Sequence, residues 1–486
     1  MTETRVLPPK PVVSFATYIE AGGGAGLDAA ARLGPDATIE EVLASGLRGR
    51  GGAGFPTGRK WQTVAEMKSP DYPTSVVVNA AEGEPGSFKD RTILRRDPYR
   101  VLEGALIAAY AVRADIVVIA LKASFTQELA RMQDAIAEAR DAGWLDNADV
   151  TVVAGPSEYL YGEETALLEV IDGRPPFPRI APPYRHGIDE FGDAAGESAA
   201  RLELAAPDEL SEAPPTLVSN TETFANIPGI LAQGADWFRE MGTADSPGTI
   251  VCTITGATRR HGVGEFEMGT PLSEVIEEIG GGAEGDHTIT AVMSGVANPL
   301  LPASLLDTPL TYEAMRDAGS GLGAAGFIVF DDGDDLIAVA HGVARFLSVE
   351  SCGQCTPCKQ DGLAISELLD RVRRNEATEI DLVLLNDRLT TVADSARCNL
   401  ATQQQLVIRS VLELFPDTVA AHIHHSHRAS EPYVVAPIVD ISGDRAVLDV
   451  QHTRKQPDWT YDDTWSGKTP ADWIDERALF DSHDDR

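Results

Sequence analysis

The chain has 486 residues, 43% of them hydrophobic, which is material for about three domains with cores of their own. Its 75 acidic and 40 basic residues give a net charge of −35, which argues against nucleic acid or an anionic membrane as the main partner, because like charges repel. The opening MTETRVLPPKPVVSF lacks a basic segment followed by an apolar one, so no signal peptide is expected, and the most apolar run, 105–121, is broken by Arg113 and Asp115 and too short for a bilayer.

In chain order, TIEEVLASGL (38–47) reads as a short helix and GLRGRGGAGFPTG (46–58) as a glycine-rich loop. SVVVNA (75–80), DIVVIAL (115–121) and DVTVVAG (149–155) are apolar strands, separated by the helices 100–112 and 126–143. Apolar strands alternating with amphipathic helices imply a parallel α/β layer. Residues 186–212 carry eight acids and one arginine without a clear period and read as a surface insertion. From about 247, the β-rich TIVCTITGA and HTITAVMSGVA flank the short helix PLSEVIEEIGGG, which suggests a small α+β module. From Asp335 the chain is nearly all helix, as a bundle would be. The tail beyond 430 holds Trp459, Trp465 and Trp473, which either anchor to another surface or fold back on their own domain. The resulting division is 1–242, 243–334, 335–425 and a tail 426–486.

The chain has five cysteines, and three of them stand in ESCGQCTPCKQ (350–360). This is not a secreted disulfide framework and fits thiols held for metal in a reducing cytoplasm. Cys352, Cys355 and Cys358 follow a C-x2-C-x2-C spacing that lets a tight loop turn three thiolates to one point, as an iron–sulfur cluster requires. Zinc, which usually draws paired cysteines from separate knuckles, is the alternative. Cys398 in SARCNL is the expected fourth ligand, while Cys252, inside the strand IVCTITG, is a small buried hydrophobe.

GRGGAG (49–54) matches G-x-G-x-x-G literally, yet a helix precedes it and Phe55-Pro56 follows, so it fails as a generic dinucleotide fingerprint. Its glycines still permit close backbone approach to a planar or phosphorylated ligand, with Arg48, Arg50, Arg59 and Lys60 around it. Asn79, Glu82 and Glu84 in NAAEGEPGSFKDR leave the carboxyl end of a strand, where open α/β sheets bind ligands. Glu163 and Glu164 in YGEETALLEV open a helix, which two acids stabilise whether or not they bind anything.

RGRGGAGFPTGRKW, NAAEGEPGSFKDR, YLYGEETALLEVIDG, SNTETFANIP, MGTPLSEVI and ESCGQCTPC, spread in order over about residues 40 to 415, resemble the NADH-oxidising flavoprotein subunit of respiratory complex I and its relatives in NAD-linked hydrogenases and formate dehydrogenases. The resemblance implies a Rossmann-like parallel α/β flavin domain, a β-grasp (SLBB-like) module and a C-terminal helical bundle carrying an iron–sulfur cluster. It implies FMN against Gly51, Gly52, Ala53 and Gly54, with Lys60, Asn220 and Thr223 at its phosphate and ribityl end, and Asn79, Glu82, Tyr159, Gly162 and Glu163 on the remaining wall. Phe55, Glu84, Glu164 and Tyr184 match positions that receive NAD(H), Glu84 and Glu164 as the catalytic pair, and Cys352, Cys355, Cys358 and Cys398 match the [4Fe–4S] ligands.

The activity implied is electron transfer between NAD(P)H and an iron–sulfur partner, by a cytoplasmic subunit peripheral to a larger complex and docked through its tail. This chain departs from the family pattern at Ala81, Thr63, Ala181, Tyr184 and Tyr161, mostly around the nucleotide. Losing one stacking face or one charged contact costs roughly 1 kcal/mol, so the departures together weaken NADH binding by about 10- to 100-fold. They motivate an alternative, a flavin and iron–sulfur relay without nicotinamide binding.

Overall fold

The computed structural model describes residues 4–68, 73–180, 183, 187–188 and 215–473. Tyr184, Ala181 and nearly all of the 186–212 insertion lie outside the described residues. The chain forms two compact units, the first comprising 1–82, 89–251 and 264–269, the second 83–88, 252–263 and 270–486. No helix among the described residues is long and apolar enough to cross a membrane.

The first unit is built on four strands, β1 (Ser75–Ala80), β2 (Ile116–Lys122), β3 (Asp149–Gly155) and β4 (Thr216–Asn220), in the order β3-β2-β1-β4. Every pairing is parallel, with Val76 opposite both Val117 and Leu217. A parallel sheet is covered on both faces, which is why β1 and β2 read as unbroken apolar runs. The helix Pro98–Val112 starts on Asp97, whose Oδ1 accepts the Arg100 N–H at 3.1 Å, with Pro98 in the first turn where a missing N–H costs nothing. A Cβ on its Gly104 would stand 2.0 Å from the Phe224 carbonyl oxygen, so only glycine lets this helix reach the helix Thr221–Gln233. The chain runs from β1 outward to β2 and β3, then returns to the opposite side of β1 as β4. That reversal opens a crevice at the carboxyl ends of β1 and β4.

A mixed sheet follows in the order β6-β5-β9-β7-β8, formed by β5 (Thr249–Gly256), β6 (Gly262–Glu267), β7 (Ile289–Ser294), β8 (Leu301–Pro302) and β9 (Gly326–Asp331), of which β7, β8 and β9 lie wholly in the second unit. β5 runs parallel to β9, and β7 antiparallel to both β9 and β8. The unit boundary falls inside β5, between Val251 and Cys252. The helix expected over 271–282 begins as Leu272–Val275, widens into one turn of π-helix over Ile276–Gly280 and stops at Gly281 with φ +72°. Helices Leu336–Glu350, Thr356–Arg373, Glu379–Thr391, Leu400–Leu414 and Pro416–Ile423 follow as a bundle. A two-stranded hairpin, β10 (Ile438–Ser442) with β11 (Arg445–Leu448), leads into the tail.

The tail turns back on its own unit. The carboxylate of Glu350, buried at the end of its helix, accepts hydrogen bonds from Lys455 Nζ and His452 Nε2, both at 2.7 Å, and Trp459 Nε1 donates to the Val349 carbonyl at 3.0 Å. Of the two roles open to the tail tryptophans, Trp459 takes the folded-back one. Trp465 and Trp473 stay more than a third exposed.

Candidate functional site: a glycine-lined crevice and a three-cysteine loop

The crevice of the first unit collects pieces far apart in sequence. The glycine loop leaves helix Pro35–Ser45 and folds on itself, Gly49 N donating to the Phe55 carbonyl at 2.8 Å and Arg48 Nε to the Gly54 carbonyl at 2.7 Å. Gly52 (φ +127°) and Gly54 (φ +62°) take backbone angles that a side chain disfavours. The loop is pinned to the start of helix Thr221–Gln233, because Arg50 N donates to the buried Thr223 hydroxyl at 2.9 Å. A Cβ on Gly51 would come within 3.1 Å of Asn220 Cβ, so bare backbone faces the end of β4. Phe55 follows with 54% of its surface exposed, an open aromatic face at the loop's edge.

Around it, Asn79 at the end of β1 donates through Nδ2 to the Gly162 carbonyl at 2.9 Å. Glu163 caps helix Glu164–Ile171, accepting from Thr165 N at 3.0 Å and Ala166 N at 2.8 Å, and burial pushes its carboxyl up. Glu82 accepts the Asp90 and Arg91 N–H groups, each at 3.2 Å, at the start of helix Lys89–Arg96. Lys60 reaches across to the Val218 carbonyl at 2.8 Å and ion-pairs with Glu164. Both partners of that pair are about one-third exposed, so it is worth little, and an anionic ligand can displace the carboxylate from Lys60. Thr63, on the same helix, bonds back to the Arg59 carbonyl at 3.0 Å. Tyr159 and Gly162 bound one short 3₁₀ turn, and the buried Tyr161 hydroxyl finds no hydrogen-bond partner among the described residues.

Beneath the crevice lies a buried charge network that the sequence reading missed. Lys89 Nζ donates to Glu222 Oε2 at 2.7 Å, Asp90 Oδ1 at 3.0 Å and Asn220 Oδ1 at 3.2 Å, while Asn220 Nδ2 donates to Asp90 Oδ2 at 2.6 Å. Glu222, fully buried, also accepts the Val251 N–H at 2.9 Å and lies 4.0 Å from Arg50 Nε. Burial works against the Lys89 charge, yet Asp90 and Glu222 more than offset it and hold the ammonium well above the ordinary lysine value. Lys89 and Asp90 belong to the segment NAAEGEPGSFKDR, but only the fold reveals partners 130 to 133 residues away.

Glu84 belongs to the second unit, where Val296 N donates to its Oε1 at 2.6 Å, next to Gly295 at φ +60°. The same unit holds the cysteines. Cys352 and Cys358 are buried, and Cys355 and Cys398 half-buried. Cys355 caps helix Thr356–Arg373, with Pro357 and Cys358 in its first turn, where the helix N-terminus favours thiolates. The Ser351 hydroxyl lies 3.3 Å from Cys358 Sγ. Lys359 Nζ is buried among the carbonyls of Ser348 (2.9 Å) and Ser351 (2.8 Å). Cys398 closely precedes helix Leu400–Leu414, which is joined to helix Thr356–Arg373 by Gln404 Nε2 donating to the Gly362 carbonyl at 3.1 Å. Burial pushes the Cys352 thiol up to about 11 and raises Cys358 also. Bound iron would supply the positive charge that burial withholds from these two sulfurs as thiolates. The tail presses on this loop: Ala471 N donates to the Cys352 carbonyl at 3.0 Å, and a Cβ on Gly353 would sit 2.4 Å from Thr469 Cβ.

A glycine-lined crevice on a parallel α/β unit and a cysteine-bearing helical bundle in the same chain define a flavin- and iron–sulfur-binding oxidoreductase component. Known proteins agree with that class. Residues 42–229 match the Nuo51 FMN-binding domain, and 338–422 match the NADH-ubiquinone oxidoreductase-F iron-sulfur binding region. The second F subunit of the NADH-quinone oxidoreductase of Rhizobium meliloti is 36% identical over 84% of this chain and 94% of its own length, and the F subunit of Aquifex aeolicus is 34% identical over 84% and 91%. The mitochondrial NADH-ubiquinone oxidoreductase 51 kDa subunit of Neurospora crassa is 35% identical over 80% of this chain and 78% of its own. Among solved structures, a chain of the NAD+-reducing [NiFe]-hydrogenase in the H2-reduced state superposes with a TM-score of 0.71 at 30% identity, covering 85% of this chain and 67% of that one. The chain belongs to the family of NADH-quinone oxidoreductase F subunits, with FMN and a [4Fe–4S] cluster as its cofactors.

Proposed function

We propose that this chain is the electron-input component of a multisubunit oxidoreductase, taking reducing equivalents from NAD(P)H in the first unit and handing them to an iron–sulfur partner. The observation that carries the reading is the convergence of the glycine loop, Lys60, Asn79 and the Asn220 end of β4 on the crevice where the strand order reverses. FMN supplies hydride acceptance and release of electrons one at a time, and the cluster conducts them.

The polypeptide's part is position and charge. Backbone amides of 51–54 would lie against the flavin, the Lys60 ammonium would meet its phosphate on leaving Glu164, and Phe55 would offer its exposed face to the nucleotide. Glu164, once released from Lys60, would direct the nicotinamide end, while Cys352, Cys355, Cys358 and Cys398 would ligate the cluster. Trp465 and Trp473, the exposed aromatics of the tail, are where the partner docks, and the protein works at the periphery of its complex on the cytoplasmic side.

Anaerobic mixing of the flavin-loaded protein with NADH or NADPH should bleach the flavin band. A loaded preparation that neither nucleotide reduces defeats the reading. Thr63 keeps a second one alive, a relay reduced by its partner alone, because a hydroxyl bonded back to the Arg59 carbonyl leaves no aromatic face at that position of the helix. Reduction by deazaflavin and light, together with no nucleotide binding by calorimetry, would select it.

A further inference from the structure

The second unit also gathers three metal-ligating side chains outside the cysteine loop. Asp335, just beyond β9, caps helix Leu336–Glu350 by accepting the Ile337 N–H on Oδ1 at 2.9 Å. His422, fully buried, lies near the end of helix Pro416–Ile423, and His427 follows on the surface. One ligand atom of each residue lies within 4.8 Å of the other two, and the two imidazole rings are 4.7 Å apart.

The hydrogen bonds fix the tautomers. Asn375 Nδ2 donates to the His427 carbonyl at 2.8 Å, which turns its Oδ1 toward His422 Nδ1 at 2.7 Å. His422 must therefore carry a proton on Nδ1. Its Nε2 lies 2.9 Å from Asp335 Oδ2, a contact that a proton bridges as an Nε2–H hydrogen bond and that a metal ion can bridge by taking that proton's place. His427 Nδ1 lies 2.7 Å from the Arg428 carbonyl, which takes that proton too and leaves Nε2 uncommitted. An imidazole whose other nitrogen is anchored to a carbonyl-type oxygen is the usual arrangement of a metal ligand, and here it occurs twice beside one carboxylate.

We propose that Asp335, His422 and His427 bind a borderline divalent metal ion of the zinc type. Two imidazoles and one carboxylate suit zinc, whereas calcium and magnesium want oxygen alone. Three protein ligands leave the fourth tetrahedral position to water or to the Ser430 hydroxyl, which already donates to Asp335 Oδ2. His427 on the surface gives the ion its way in. Bound there, the ion cross-links segments 87 residues apart in sequence, the loop after β9 and the end of the last bundle helix.

The test is zinc titration of the full-length, cofactor-loaded protein, with iron and zinc counted together by mass spectrometry and the zinc edge measured by X-ray absorption. The wild type should hold about one zinc in addition to its iron, in a shell of nitrogen and oxygen only. His427→Gln, at an exposed position, should weaken zinc by at least about 100-fold with iron and flavin content unchanged. Asn375→Gly tolerates the native φ of +59° and removes only the orienting amide, so it should cost about 10- to 100-fold. Sulfur in the zinc shell, wild-type affinity in His427→Gln, or no zinc taken up once the iron is in place would each overturn the proposal.

Discussion

The cysteine loop and the glycine-lined crevice are built on opposite plans. Residues 351–358 bring three thiols together within one loop and the first turn of one helix, so neighbours in sequence are neighbours in space. The crevice draws on the 49–55 loop, Lys60, the end of β1, the 159–164 turn and the Asn220 end of β4, held by the buried Lys89–Asp90–Glu222 network. A site of the first kind should fail when one ligand goes. One of the second kind should fail when the charge balance beneath it goes, even where no ligand contact is touched.

The largest expected effect is at the cysteines. Cys398→Ser should abolish the low-temperature paramagnetic signal of the reduced cluster and most of the iron, while flavin content stays at wild type. Cys252→Ser should leave both unchanged, and loss of iron there would break the ligand assignment. Next, Glu222→Ala leaves Lys89 with Asp90 as its one carboxylate partner among those described, takes the nearby anion from Arg50 and leaves the Val251 N–H unmet, a loss of about 3 kcal/mol in denaturant unfolding. Its FMN should wash out on gel filtration. Retention of stability and flavin would show the crevice to be as locally built as the cysteine loop.

The tail's attachment to the cysteine-bearing unit should be pH-sensitive. Burial alone would raise the Glu350 carboxyl, but Lys455 and then His452 more than offset it and hold it well below the carboxylate range. A depressed carboxylate stabilises the fold above its unfolded value near 4.5, and that stability drains away as the pH falls below it. Tryptophan emission should therefore stay flat from pH 7 to about 5 and shift on further acidification. Glu350→Gln, which leaves Lys455 buried without its anion, should cost about 3 kcal/mol and show the shifted emission already at neutral pH. The smallest effect is at the crevice rim: Thr63→Phe, by adding one stacking face, should tighten NADH by about fivefold in calorimetry, roughly 1 kcal/mol. No change would count against the relay reading, which rests on that missing face.

Local sequence determined the elements that depend on neighbours alone. β1 and β3 occupy 75–80 and 149–155 as their apolar runs indicate, and Asp97-Pro98 starts its helix by capping chemistry that needs no tertiary partner. The C-x2-C-x2-C spacing spoke for itself, because three thiols on one loop need nothing distant to bring them together. The tertiary structure alone decided which charges meet. That Lys89 answers Glu222, that Thr223 pins the glycine loop, that Glu350 fastens the tail through Lys455 and His452, and that Asp335 meets His422 are contacts spanning 87 to 173 residues. A buried charge must find its opposite wherever the fold puts it, and no periodicity along the chain records that address.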